Sequence, residues 1–166
     1  MISVIIDQNR FLHIQQHASL GDRGAPKAVV VAIGSVIGDA EIQASWLYWN
    51  TTPTTTTWTC WVVTQKALGG VRVEYGKTLY DDLDERRNRV TPSSQSAWVR
   101  PLSGIIGLRW GAIYGAEAEF DTYYPAEPIT VTFTDRETKI PEDDFPVEQC
   151  SKADQLLAAI RKEVGF

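Results

Sequence analysis

The sequence predicts an α+β fold in which mostly antiparallel strands form a small bent barrel or paired sheets, closed by a C-terminal amphipathic helix. Three observations support this class. Residues 58–75 have the aromatic and β-branched composition of a β-hairpin. Ile129, Val131 and Phe133 alternate strictly with threonines, which is typical of a half-buried strand. Apolar residues of the segment 151–164 fall on one face of a helix.

Length and composition indicate a single domain, 1–166. Hydrophobic residues make up 43% and charged residues 22% of the chain. The net charge of −5 provides no basic footprint of the kind that nucleic-acid-binding proteins carry, so we expect no nucleic-acid partner. The same charge disfavours attraction to an anionic membrane surface. Because neither a signal peptide nor a long apolar run is recognisable, we expect a cytoplasmic protein.

The chain before residue 58 predicts two strands behind an N-terminal extension, residues 1–26. Within this extension, a short strand or extended start leads into a helix through residues 11–14. The cluster of glycine, aspartate and proline at 21–26 then breaks the chain. Four segments follow, predicted in order as a buried strand, a turn, a second strand and a threonine-rich loop. Their bounds are 27–33, 34–39, 41–49 and 50–57.

The predicted hairpin has arms at 58–66 and 71–75. Gly69 and Gly70 lie between the arms, and we expect them to supply the positive φ angles of a tight turn. The second arm alternates, so that one set of side chains faces the core and the other faces away. The first set is Val71, Val73 and Tyr75, and the second is Arg72, Glu74 and Gly76.

Residues 77–95 form a charged insert that is predicted to be the longest loop, with room for one helical turn. An acidic cluster comes first, and Arg86, Arg87 and Arg89 follow it directly. We expect this insert to be a mobile surface segment, because it is polar and interrupts a series of apolar strands. The three arginines are the predicted partner-binding residues.

The remaining chain predicts short strands and then a helix. The strand segments are 97–99, 105–114, 116–124, 129–134 and 138–141. Ser151 is the predicted N-cap of the helix, and Gly165 the residue that ends it. Leu157 and Ile160 lie at the centre of the apolar stripe of this helix, so we expect both to be buried.

Three segments resemble bacterial proteins with a pleckstrin-homology-like fold. Residues 61–68 read Trp-Val-Val-Thr-Gln-Lys-Ala-Leu, similar to the strand that leads into a T-x-K/R-x-L turn in those proteins. Residues 100–108 resemble their proline-led strand, and 129–138 with the helix 152–163 resemble their last strands and helix. The segments cover about half the chain. The resemblance implies a bent antiparallel barrel closed at one end by the last helix, from which the N-terminal segment and the charged insert depart.

Pleckstrin-like domains that bind phosphoinositides use basic residues in their first hairpin. The corresponding segment here, 34–41, contains Asp39 and Glu41 but no lysine or arginine. We therefore expect no binding to phosphoinositide membranes.

Side chains with recognisable chemistry are few. His13 and His17 have the spacing of two metal ligands on a helix, but no third ligand is fixed by spacing, so we predict no metal site. Cys60 and Cys150 are predicted to be buried, unpaired thiols, with a disulfide as the alternative. The chain contains no P-loop, no G-x-S-x-G and no G-x-G-x-x-G, and we predict neither a cofactor nor catalytic residues.

Two functional hypotheses follow from these observations. The first is a non-catalytic binding module, an adaptor or inhibitor, that recognises a protein partner through a strand edge or a groove beside a helix. The second is a small β-barrel that holds an apolar or aromatic small molecule, with catalysis left open, because six tryptophans could line a pocket. The competing explanation for the tryptophans is ordinary core packing.

Overall fold

The computed structural model describes residues 6–109, 113–115, 123–125, 129–141 and 152–165. The helices are α1 (Gln8–His17), α2 (Lys27–Ile37), α3 (Asp82–Arg87) and α4 (Ala153–Val164). The first six strands are β1 (Ser19–Leu20), β2 (Arg23–Gly24), β3 (Ile42–Thr51), β4 (Thr56–Thr64), β5 (Ala67–Tyr75) and β6 (Ser94–Pro101). The others are β7 (Ile105–Arg109), β8 (Ile113–Gly115), β9 (Tyr123–Pro125), β10 (Ile129–Phe133) and β11 (Glu137–Ile140).

Two antiparallel sheets dominate the fold. The central sheet is a four-stranded meander with the order β3-β4-β5-β6, and the second sheet has the order β11-β10-β7. The pairs β1-β2 and β8-β9 form separate two-stranded ribbons. None of the sheets in the described residues closes on itself, so the paired-sheet form of the predicted α+β fold is the one observed.

Each face of the central sheet carries its own hydrophobic core. On one face, α1 and α2 pack against side chains of β3, β4 and β5, with Trp58 and Tyr75 at the centre. On the other face, the second sheet and α4 pack against Trp46, Tyr48 and Trp61. The fold therefore has three layers: α1 with α2, the central sheet, and the second sheet with α4.

The segment 27–37 corrects two predictions. It was expected to be a strand followed by a turn, and it forms the helix α2, which ends at Gly38 with φ of 57°. Val29, Val30, Ile33 and Ile37 are buried at helical spacing. A short apolar run fits a buried helix as well as a buried strand, and packing on the sheet outweighs the β preference of valine. The comparison of 34–41 with a lipid-binding hairpin turn is wrong for the same reason.

The predicted hairpin is present as β4 and β5, but its turn lies at residues 65–66. Gly69 and Gly70 are inside β5, and the positive-φ glycines of the described chain are elsewhere, at 21, 38 and 165. Both glycines serve close packing on opposite faces of the sheet. A Cβ on Gly69 would lie 2.4 Å from Val36 of α2, and one on Gly70 would lie 2.7 Å from the ring of Trp98. The predicted alternation along 71–75 is confirmed.

Most other predicted elements are confirmed with shifted ends. The predicted helix through residues 11–14 is α1, the threonine-rich loop is reduced to residues 52–55, and β6 begins at Ser94. In β10 the outer-face residue Thr130 is also buried, because this strand is the middle one of its sheet. Residues 2–5 of the predicted N-terminal strand, most of the strand at 116–124, and the residues Cys150 and Ser151 lie outside the described residues.

The terminal helix α4 is present and ends at Gly165 with φ of 81°, as expected. Ile160 is buried as predicted, whereas Leu157 is only half-buried. Leu156 takes the central position instead, at 1% exposure. The sequence pattern defined the apolar stripe correctly but placed its centre one residue too far along the helix.

Candidate functional site: the groove between α2 and β6

β6 is an edge strand of the central sheet among the described residues. It pairs with β5 on one side, and the described residues supply no strand on its other side. Six of its eight residues are exposed, and Trp98 and Arg100 are half-buried. Val99 is 50% exposed.

The outward-pointing backbone groups of β6 can be assigned from the ladder. The N–H of Leu102 donates to the carbonyl of Lys66 at 2.8 Å, one step beyond the β5–β6 pairing. Because hydrogen-bonded and non-hydrogen-bonded pairs alternate along antiparallel strands, Gln95, Ala97 and Val99 do not bond to β5. Their N–H and C=O groups point away from the sheet, and Pro101 occupies the same kind of position, as proline does at sheet edges.

A groove of about 480 Å³ runs beside this edge, between α2 and β6. Its lining is made mostly of small side chains: Lys27, Ala28, Val31, Ala32, Ser35, Arg89, Gln95, Ser96 and Ala97. The five residues from α2 recur at spacings of three and four, so they form one stripe on the helix. The opposite stripe of α2 is buried against the sheet, which fixes the orientation of the groove wall.

α2 and β6 run in the same direction along the groove. Val36 approaches Gly69, and Gly69 pairs with Val99, so the C-terminal part of α2 lies next to the C-terminal part of β6. Lys27 therefore lies at the end of the groove where β6 begins. Arg89, which precedes β6 in the chain, lines the same groove.

The charged insert is anchored to the start of α2. Asp81 caps α3 through the N–H groups of Leu83 and Asp84, each at 3.0 Å, and its other oxygen meets Arg23 at 3.1 Å. Tyr80 and Asp81 are buried. The segment 77–95 is therefore not a loop throughout. The helical turn expected within it is confirmed as α3.

Two further carboxylates hold the same junction. Asp82 accepts the N–H of Gly24 at 3.1 Å, and Glu85 accepts the N–H of Lys27 at 2.7 Å. A Cβ on Gly24 would lie 2.9 Å from the Asp82 carboxyl carbon, so glycine permits this close approach. These contacts fix the chain that carries Arg89 relative to α2.

The three predicted partner-binding arginines are all exposed, but the structure does not bring them together at one site. Arg86 pairs with Asp82 at 3.4 Å. Arg87 and Arg89 form no salt bridge with any described residue, and only Arg89 lines the groove. Whether any of them binds a partner stays a prediction.

The groove has a positive end within an acidic protein. Among the described residues that line it, Lys27 and Arg89 are the charged ones, and none is a carboxylate. The nearby carboxylate of Glu85 accepts the backbone N–H of Lys27. The net charge of the whole chain is −5, whereas the charged side chains that line the groove are both cations.

The rings of the two histidines are in contact on the surface of α1. The rings of His13 and His17 lie edge to face at 5.4 Å, and Nδ1 of His17 lies 3.1 Å from the Ser45 hydroxyl. Partial burial lowers the pKa of His17, and the positive charges of His13, Lys152 and Arg10 lower it further. The described residues contain no group of three or more His, Cys, Asp or Glu side chains that could hold a metal ion.

Cys60 and the buried tryptophans belong to the cores. Cys60 is a free thiol with no exposed surface, as predicted, and burial raises its pKa to about 12. Trp58 is fully buried, and its Nε1 donates to the carbonyl of Tyr80 at 2.8 Å. Trp46 and Trp61 fill the opposite core. Core packing therefore accounts for these three tryptophans.

The α2 side of the groove was missed from the sequence, because the segment was interpreted as a strand. The available signal was the spacing of Ala28, Val31, Ala32 and Ser35, which matches one helix face. No protein-family model, curated protein or solved structure matches the chain. None of the helices in the described residues is long and apolar enough to cross a membrane.

Proposed function

We propose that the protein is a non-catalytic binding module, an adaptor or inhibitor, that recognises a protein partner by adding a strand of that partner to β6. The observation that carries the proposal is the free edge of β6 beside the α2 groove. Strand addition of this kind obtains affinity from main-chain hydrogen bonds and specificity from pockets for alternate side chains. Both requirements are met on the same side of the central sheet.

The geometry accommodates an added strand directly. Gln95, Ala97 and Val99 each offer one donor and one acceptor, so a partner strand would form about six backbone hydrogen bonds. It would lie about 4.8 Å beyond β6, with every second side chain directed to the α2 face of the sheet. Those side chains would enter the groove.

The proposal includes a family and a location. We assign the chain to bacterial proteins with a pleckstrin-homology-like fold and place it in the cytoplasm. Support for the fold assignment comes from the order of a four-stranded meander, a three-stranded antiparallel sheet and a terminal helix packed against the space between them. The ligand-binding barrel stays a prediction that the open sheets and the tryptophan-filled cores do not favour.

The experiment uses Ala97→Pro, which removes one outward N–H without removing any bond to β5. The full-length protein and this variant are used to capture and cross-link partners from lysate of the native host, with mass spectrometry as the readout. We expect at least one partner to be captured by the unmodified protein and lost with the variant. Ala97→Ser, which keeps the N–H, is the matched control.

Far-ultraviolet circular dichroism and a thermal melt establish that Ala97→Pro remains folded. If the variant captures the same partners in the same amounts, β6 is not the recognition edge and the proposal fails. If Ala97→Pro unfolds, Val99→Pro tests the same edge, because its N–H also points away from β5.

A further inference from the structure

We infer that the partner segment that occupies the groove is an extended acidic peptide, with a carboxylate against Lys27 and Arg89 and small apolar side chains beyond it. This inference rests on the proposed function and specifies its partner. It is carried by the distribution of charge and side-chain size along the groove.

The position of the carboxylate follows from the two cations. Lys27 and Arg89 lie at the end of the groove where β6 begins, and neither side chain forms a salt bridge with a described residue. Among the insert's carboxylates, Asp81 pairs with Arg23, and Glu85 accepts the backbone N–H of Lys27 without pairing with the side chain of Lys27 or Arg89. Two cations in one groove, neither of them in a salt bridge with a described carboxylate, complement a negatively charged ligand.

The apolar preference follows from the rest of the lining. Ala28, Val31 and Ala32 on the helix face Ala97 on the strand. These small side chains leave the volume of the groove open, and only apolar groups can cover them without losing hydrogen bonds to water. Side chains on one face of a strand recur every second residue. The expected ligand pattern is therefore a carboxylate followed or preceded by apolar residues at two-residue steps.

A second copy of this chain is a poorer occupant. Its most accessible strand would be its own β6, which reads Ser-Gln-Ser-Ala-Trp-Val-Arg-Pro. That strand contains no carboxylate, and its one charged residue, Arg100, is a cation. Arg100 is paired with Asp135, so self-pairing would bring no free carboxylate to Lys27 and Arg89.

The test uses two isomeric synthetic peptides with a neutral fluorophore, Glu-Thr-Val-Thr-Val-Thr and Thr-Val-Thr-Val-Thr-Glu. Each places glutamate and two valines on one face, for the two possible strand directions. Matching peptides with lysine in place of glutamate serve as charge controls. Fluorescence anisotropy measures the binding of each peptide to the full-length protein.

We expect one glutamate isomer to bind about three- to tenfold more tightly than its lysine counterpart, since exposed charge pairs contribute modestly. Arg89→Ala should remove this preference and Arg87→Ala should retain it, because only Arg89 lines the groove. The preference should also shrink in ~0.5 M salt. Both variants remove one exposed arginine without a salt bridge, so they are matched in charge and in effect on folding.

Four outcomes would overturn the inference. Equal binding of glutamate and lysine peptides, or a preference that Arg89→Ala leaves unchanged, would show that the groove does not select an acid. Failure of both glutamate isomers to bind at millimolar concentration would exclude the ligand class. Sedimentation velocity that reveals a dimer, lost in Ala97→Pro, would identify a second copy as the occupant.

These outcomes are separable from failure of the proposed function. If peptides of both charges bind equally and Ala97→Pro abolishes their binding, strand addition stands and only the acidic preference falls. If Ala97→Pro leaves partner capture from lysate unchanged, the proposed function itself falls.

Discussion

Replacing Gly69 with alanine tests the contact that positions α2 on the central sheet. The added Cβ would lie 2.4 Å from Cγ1 of Val36 and 3.2 Å from Cγ1 of Val62. The first distance is too short for any real contact. Val36 is β-branched and held on a helix, so its methyl group cannot rotate away freely. Either α2 moves outward or β5 bends.

The expected change in the free energy of unfolding is the difference of two terms. Adding a methyl group to a tightly packed site costs about 1–3 kcal/mol. Alanine also restricts the unfolded chain more than glycine does, which stabilises the folded protein by about 0.4–1 kcal/mol. We therefore expect Gly69→Ala to lower the free energy of unfolding by about 0–2.6 kcal/mol, with a central value of about 1.3 kcal/mol. For a chain of this length, each kcal/mol shifts the melting temperature by about 2–4 °C.

A double-mutant cycle with Val36→Ala isolates the contact. Val36 is only half-buried, so its truncation alone should be mild, and in the Gly69→Ala background it should restore stability by removing the clashing methyl group. Urea unfolding followed by circular dichroism gives the four free energies. The expected coupling is about 1 kcal/mol in the compensating direction. Additive effects of the two substitutions would refute the packing of α2 on β5.

Three further predictions concern the cores and α1. Leu156→Ala should lower the free energy of unfolding by about 2–5 kcal/mol, and Leu157→Ala, at a half-buried position, by clearly less. Equal losses in urea titrations would show that Leu156 is not at the centre of the buried face of α4. Cys60 should resist a thiol-specific disulfide reagent at pH 8 until the protein unfolds, and rapid labelling of the folded protein would contradict its burial. Because the pKa of His17 is lowered on folding from its ordinary 6.5, its contribution to stability is complete above pH 6.5 and is lost as the pH falls. The difference in stability between the original protein and His17→Gln should therefore vary below pH 6.5, and a constant difference would count against this.

The fold class was predictable because its main signals are periodic. The alternation of 71–75 and the stripe on α4 depend on backbone geometry alone, and both are present. The segment 27–37 failed because a continuous apolar run has no period that separates a strand from a helix. The prediction that Gly69 and Gly70 form the turn was wrong, because the sequence does not show whether a glycine allows a turn or a close contact.

The candidate site was only partly predictable. The sequence identified Arg89 among three candidates, because all three arginines follow an acidic cluster. The sequence could not show that Asp81 pairs with Arg23 or that Glu85 accepts the N–H of Lys27, because these partners lie far apart in the chain. The groove itself depends on α2 lying beside β6, and no local pattern encodes that juxtaposition.

The placement of α2 has a consequence for synthesis of the protein. α2 ends at Ile37, and β5, the strand it packs against, ends at Tyr75, so roughly 40 residues must be translated before its apolar face can be covered. At about 5–20 residues per second, that face stays exposed on the ribosome for roughly two to eight seconds. α3, which anchors the start of α2, emerges later still. The newly made chain therefore presents Val29, Val30 and Ile33 to chaperones before the sheet that buries them exists.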